Sequence, residues 1–143
     1  DFFIQLLTQA ALLSGFDASA PGTIQVILLK AAAMAELNAL HLKHEGATDV
    51  ICYDLREQSS TFPGEDPEEE IIAELYLCPD VAVEAAEQYN NTVSFELLLY
   101  AIHGFLHLQG EDDQCTESKE RMRIAEKRVM KQLIEKFDNI DYW

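Results

Sequence analysis

The stretch Phe95–Leu108 (FELLLYAIHGFLHL) constrains this chain most, because it is apolar at nearly every helical phase. A helix without a polar face has to be enclosed by protein, so the rest of the fold is arranged around it. Ser94 before it is a plausible N-cap, and Gly110 after it is a stop signal. Its two histidines, His103 and His107, stand four residues apart and so lie one above the other on one face. Burying two imidazoles without partners costs roughly 1–3 kcal/mol each. Two imidazoles presented to one point are instead the helical half of a tetrahedral metal site. Gly110 follows His107 by three residues and can take a positive φ, turning the chain back. Asp113, six past His107, is then the natural third ligand, with Asp112 one residue early. Three protein ligands leave the fourth position open, as catalytic rather than structural sites do. Two nitrogens and a carboxylate suit Zn²⁺ best, while Ni²⁺, Co²⁺ and Fe²⁺ also take imidazole. An ion in such a site lowers the pKa of its water toward roughly 7.

Other elements follow from periodicity. Phe2–Leu13 is apolar at helical spacing and ends at Gly15. Thr23–Leu29, Asp49–Leu55 and Ile71–Cys78 are strand candidates, rich in β-branched and apolar residues. Ala31–Leu42 is a predicted helix, and Gly46 breaks it. Pro79-Asp80 opens a helix to about Tyr89, followed by a turn at Asn90-Asn91. Glu117–Phe137 is a charged amphipathic helix with Met122, Ala125, Val129, Leu133 and Ile134 inward. Glu57–Glu70, with two prolines and an acidic cluster, is too polar to pack and reads as an exposed loop. Strands and helices do not alternate strictly, so the fold class is α+β. The 143 residues make one domain over the whole chain, 1–143.

The formal net charge is −16, from 26 acidic and 10 basic residues. That balance excludes a broad polyanion-binding face, because affinity for nucleic acid rests on Lys and Arg. RNA would have to be met at a local site, and basic partner proteins are attracted instead. Cys52, Cys78 and Cys115 form no CxxC pair and no disulfide framework, which fits free thiols in a reducing cytoplasm. No stretch approaches the roughly 18 apolar residues of a membrane span, and the start lacks the basic region of a secretion signal. The sequon Asn90-Asn91-Thr92 therefore carries no weight.

His-x3-His-x2-Gly-x2-Asp resembles the metzincin protease site, but the glutamate base those enzymes need after the first histidine is Gly104 here. Peptide hydrolysis by that route is disfavoured. The run HGFLHLQGEDD, from His103 to Asp113, instead resembles the signature of the YbeY family, H-G-x-L-H-L-x-G-Y-D-H. These are bacterial endoribonucleases and rRNA maturation factors. Four further stretches are similar to the family in the right order. They are Leu37-Asn38, Thr48–Tyr53 (TDVICY), Ala73-Glu74-Leu75 followed by Cys78-Pro79, and Met122 with Glu126. The resemblance spans about Gly22 to Leu133.

It implies a small mixed sheet with the metal-binding helix behind it, and a zinc-type site on His103, His107 and Asp113. It implies cleavage of single-stranded RNA in small-subunit rRNA maturation and ribosome quality control. Ribosomal proteins or a ribosome-associated GTPase are the implied protein partners. The sequence also departs from the family. The third ligand, usually His, is Asp113. An Arg expected five residues after the L-N leucine is Leu42, with Lys43 and His44 beside it as substitute substrate contacts. The strand serine is Cys52, and the G-D-I aspartate is Glu74.

Glu74 and Asp49 are the candidate general bases; their other readings are a solvent-facing strand residue and a turn cap. Glu96 and Tyr100 lie seven and three residues before His103, on about its face. Glu96 either orients a ligand histidine through its second nitrogen or favours the helix dipole. His41 and His44 read as surface histidines at a helix end. Two other functions stay open: a metal-dependent hydrolase of another substrate, and an acidic ribosome-associated binding module with a structural or vestigial metal site.

Overall fold

The computed structural model of the chain describes residues 1–42, 48–56 and 70–142. The side chains of His41 and Leu42, the segment with Lys43 and His44, and all but Glu70 of the acidic loop lie outside the described residues.

Among the described residues, five α-helices pack around a three-stranded sheet. Helix α1 is Phe2–Leu13, capped by the Asp1 carboxylate, which accepts from the Phe3 amide at 2.9 Å. Strand β1 is Thr23–Leu28. Helix α2, Ala31–Leu37, runs into a π-helical turn at Asn38–Leu42, so the predicted helix there is one α segment followed by a wider turn. Strands β2 (Val50–Asp54) and β3 (Ile71–Leu77) lead to α3 (Pro79–Tyr89), α4 (Val93–Leu108) and α5 (Thr116–Lys136). The strand order is β1-β3-β2, with β3 parallel to β1 and antiparallel to β2. The class is α+β with a small mixed sheet.

Alternation along β3 decides which face holds α4. Ala73, Leu75 and Leu77 are buried in the main core with Leu97, Ile102 and Phe105 of α4. The opposite face carries Tyr53 and Tyr76, edge to face at 5.8 Å, beside a smaller cluster of Met34, Ile51 and Cys78. Helix α4 is the hub. Eleven of its sixteen residues are buried, which is why it has no polar face. It packs on α1, α3, α5, β2 and β3.

Two expected boundaries move. Thr92, not Ser94, caps α4: its hydroxyl accepts from the Phe95 amide at 3.0 Å. Ser94 is instead buried inside the helix, where its hydroxyl accepts from the Tyr142 amide. Both residue types cap well, so local sequence does not choose between them. On α5, Met122, Val129 and Leu133 are buried as expected and Ala125 is half-buried, but Ile134 is 43% exposed and Met130 is buried instead. The three cysteines are free thiols. Among the described residues no helix is long and apolar enough to cross a membrane.

Helix α4 crosses the sheet at Gly104. A Cβ there would stand 2.7 Å from Leu75 Cδ2 and 3.6 Å from Val50 Cγ2. The Cys52 thiol, under the same crossing, donates to the Gly104 carbonyl at 3.9 Å, and burial pushes its pKa up to about 11. It is a packing thiol, not a nucleophile.

Candidate functional site

Helix α4 ends in a turn that uses Gly110 as its sequence requires. The Gly110 amide donates to the His107 carbonyl at 3.1 Å, and the Glu111 amide donates to the Leu106 carbonyl at 3.1 Å. These are the paired bonds of a Schellman motif, and Gly110 sits at φ +102, where only glycine is unstrained. The turn carries the chain back along the helix. Asp113 Oδ2 then lies 3.7 Å from His103 Nε2, an ion-pair distance longer than a hydrogen bond.

Both histidines are held at their other nitrogen. His107 Nδ1 is 3.1 Å from the Glu111 carbonyl. A carbonyl only accepts, so Nδ1 carries the proton, and in the neutral ring the lone pair is on Nε2. His103 Nδ1 donates to the Glu126 carboxylate, at 3.2 Å, and its Nε2 faces Asp113. An acceptor on Nδ1 that frees Nε2 is the usual support of a metal-ligating histidine. Two imidazole nitrogens and a carboxylate are a donor set that fits a divalent transition metal. The C-terminal end of α4, with its partial negative charge, favours a cation at the same place. His107 is exposed and Asp113 is 53% exposed. Among the described residues no three His, Cys, Asp or Glu side chains stand close enough together to hold a metal ion as they are placed here.

The structure separates the remaining candidates. Asp112 is committed to the start of α5: it accepts from the Gln114 amide at 3.2 Å, and bonds from the Ser118 hydroxyl and that amide hold its carboxyl below the usual range. Asp113 is therefore the carboxylate beside His103. Asp49 is exposed, and its carboxylate accepts from the Val50 amide at 2.8 Å, as a turn cap does. It is also close enough to His103 to raise the pKa of that ring. Glu74 is not brought to the histidines. It points from β3 away from α4 and accepts from the Tyr76 hydroxyl at 2.9 Å. Glu96 is buried and accepts from Asn91 Nδ2 at 2.7 Å, so the carboxylate orienting His103 is not Glu96 but Glu126 from α5. Lys43 and His44 lie outside the described residues.

Two contacts were not anticipated from the residues alone. Glu126 is the one acidic residue on the inward side of α5, four after buried Met122, and a carboxylate on an inward face needs a buried partner. Arg56 binds Asp54 through two nitrogens, at 2.9 and 2.7 Å, and also donates to the Leu108 carbonyl at the end of α4. Nothing in the local pattern around Arg56 signals that reach.

The Glu126 carboxylate raises the pKa of His103 above the ordinary histidine value, outweighing burial, which acts the other way. A folded value above the unfolded one means that the pair stabilises the metal-free protein fully below about pH 6.5. That contribution is lost as pH rises through the raised value. The Tm difference between chelator-treated protein and its Glu126→Gln variant should therefore be larger at pH 6 than at pH 9. A difference that does not change with pH would contradict the pairing.

The family model described as Endoribonuclease YbeY matches residues 1–134. A Nocardioides protein named Endoribonuclease YbeY is 36% identical over 89 residues, covering 62% of this chain and 60% of that one. An Elusimicrobium minutum protein of the same name is 32% identical over 116 residues, covering 81% and 78%. The solution structure of TM1509 from Thermotoga maritima is similar at a TM-score of 0.60 and 26% identity, covering 94% of this chain and 80% of that one. The match spans 60% of the Nocardioides protein's length and 58% of that of a Thermotoga petrophila relative.

Proposed function

The chain belongs to the Endoribonuclease YbeY family, and from that premise we propose that it is a zinc-dependent endoribonuclease of single-stranded RNA. Its work in the cell is maturation of small-subunit rRNA and ribosome quality control, in the cytoplasm. The observation that carries the reading is the state of the two imidazoles. Each is held at Nδ1 by an outer acceptor, and His103 turns its Nε2 toward Asp113.

His103, His107 and Asp113 would hold the ion, and Ni²⁺ or another divalent transition metal fits the same donors. When bound, it supplies Lewis-acid chemistry toward a phosphodiester. The chain's own residues prepare that chemistry. Glu126 fixes the plane of His103 and keeps its proton on Nδ1, and the Glu111 carbonyl does the same for His107. Asp113 sets a negative charge beside His103. Asp49, exposed and in electrostatic range of His103, is the carboxylate available to take a proton from water. The acidic body, at −16, suits basic ribosomal proteins as docking partners.

The test is cleavage of a labelled single-stranded RNA before and after chelation. Loss on chelation and recovery with added zinc is expected; cleavage untouched by the chelator would refute the metal. Glu126→Gln leaves the three donors but weakens their support, so zinc affinity should fall about 10–100-fold in a competition titration. Unchanged affinity would mean that Glu126 only packs.

A further inference from the structure

Charge is distributed very unevenly in this chain. Helix α5 carries seven of the ten basic residues and four of the 26 acidic ones, giving it +3 against −19 for all other residues. Four of those cations, Lys119, Arg123, Lys127 and Lys131, follow one another at intervals of four. At 1.5 Å per residue they make a row about 18 Å long. All four are exposed, and none is in an ion pair among the described residues. Glu120 and Glu135 lie at the margins of the row.

Beside the row runs a groove of about 780 Å³ between α4 and α5. Phe95 and Leu99 of α4 and Met130 and Ile134 of α5 line it, with Arg123, Lys127 and Lys131 along its edge. Phe95 and Leu99 stand eight and four residues before His103, on the same helical stripe. Glu126, which holds His103, also lines the groove. Glu126 is therefore shared between the apolar trough and the histidine end of α4.

We infer that this groove is the track of the RNA strand, with the Lys119–Arg123–Lys127–Lys131 row on its phosphates and the apolar trough under its bases. Cations in a row beside an apolar surface are what a single strand requires. On a body this acidic, this is the local site at which a polyanion is met. The track rests on the reading of the chain as an RNA-cleaving enzyme.

The four-fold variant Lys119→Gln/Arg123→Gln/Lys127→Gln/Lys131→Gln tests it. Gln keeps helix propensity at exposed positions, so α5 stays folded. The control, Lys30→Glu/Arg128→Glu, changes net charge by the same amount at exposed positions off the row. Binding of a labelled single-stranded RNA is read across a salt series in chelator, which keeps the strand intact. Cleavage is read on zinc-loaded protein. For single strands the slope of log affinity against log salt is about 0.7 per phosphate contact, so the row variant should lose up to about 2.8 of it. The control should keep the wild-type slope. Zinc-loaded row variant should lose RNA cleavage while still hydrolysing a small phosphodiester, bis(p-nitrophenyl) phosphate, at the wild-type rate.

A row variant that matches the control in slope and cleavage overturns the track and leaves the catalytic reading intact. Poly-glutamate binding lost in that variant while RNA binding is kept overturns it in favour of an acidic protein partner. Wild type that binds RNA through the row but does not cleave it keeps the track and removes the catalytic reading. Wild type that binds no RNA removes both.

Discussion

Gly104→Glu yields a chain that does not fold. The Cβ alone would meet Leu75 at 2.7 Å (Cδ2) and 3.0 Å (Cγ), and Leu75 is fully buried in the middle of the sheet. For Gly104→Ala, overpacking of about 1–3 kcal/mol is partly offset by the roughly 1 kcal/mol that alanine gains over glycine in a helix. That variant should fold with a modestly lower Tm. Glutamate adds a carboxylate against Leu75 and Val50, where burial without a partner costs several kcal/mol more. A domain has only about 5–15 kcal/mol to lose. Circular dichroism and thermal melting read the difference; Gly104→Glu melting like the parent would show that α4 does not bear on the sheet there. The same contact explains why this helix has no His-Glu-x-x-His motif. Position 104 faces the sheet and cannot supply a base to the histidines.

His107→Ala abolishes RNA cleavage without loss of fold. The side chain is exposed and, among the described residues, its hydrogen bond is to a turn carbonyl, so its removal costs little stability. If the ion leaves with it, several kcal/mol of charge stabilisation leave too, which is a fall of at least about a hundredfold in rate. His103→Ala should have the same effect on cleavage but also lower the Tm, because Glu126, only 15% exposed, loses the imidazole that it pairs with. Full activity in a folded His107→Ala protein would remove His107 from the site.

The parts of this molecule that were legible in the sequence are those decided locally. The apolar run Phe95–Leu108, which leaves no polar face, identifies the buried hub, and Ile71–Cys78 is legible as a strand. His103 meets Asp113 only ten residues on, across one glycine turn, so spacing alone brings them together. Glu126 is 23 residues from His103, and its contact depends on how α5 leans on α4, which no local pattern records. Glu96 has a suitable helical phase, but Asn91 is nearer and takes it. Helix phase gives a direction, while the partner is chosen by what else lies in that direction. Glu74 shows the same for strands. Its face follows from the period of two, but which face meets α4 is a property of the assembled layers. Gly104 is legible as a motif residue, and its reason, the closeness of helix to sheet, appears only in the packed structure.

The most direct test of the metal centre is elemental mass spectrometry of protein stripped with chelator, supplied with zinc and desalted, beside the His103→Ala/His107→Ala variant. About one zinc per wild-type chain and none in the variant is the expected result. No zinc in the wild type, or as much in the variant, would contradict a site built on His103, His107 and Asp113.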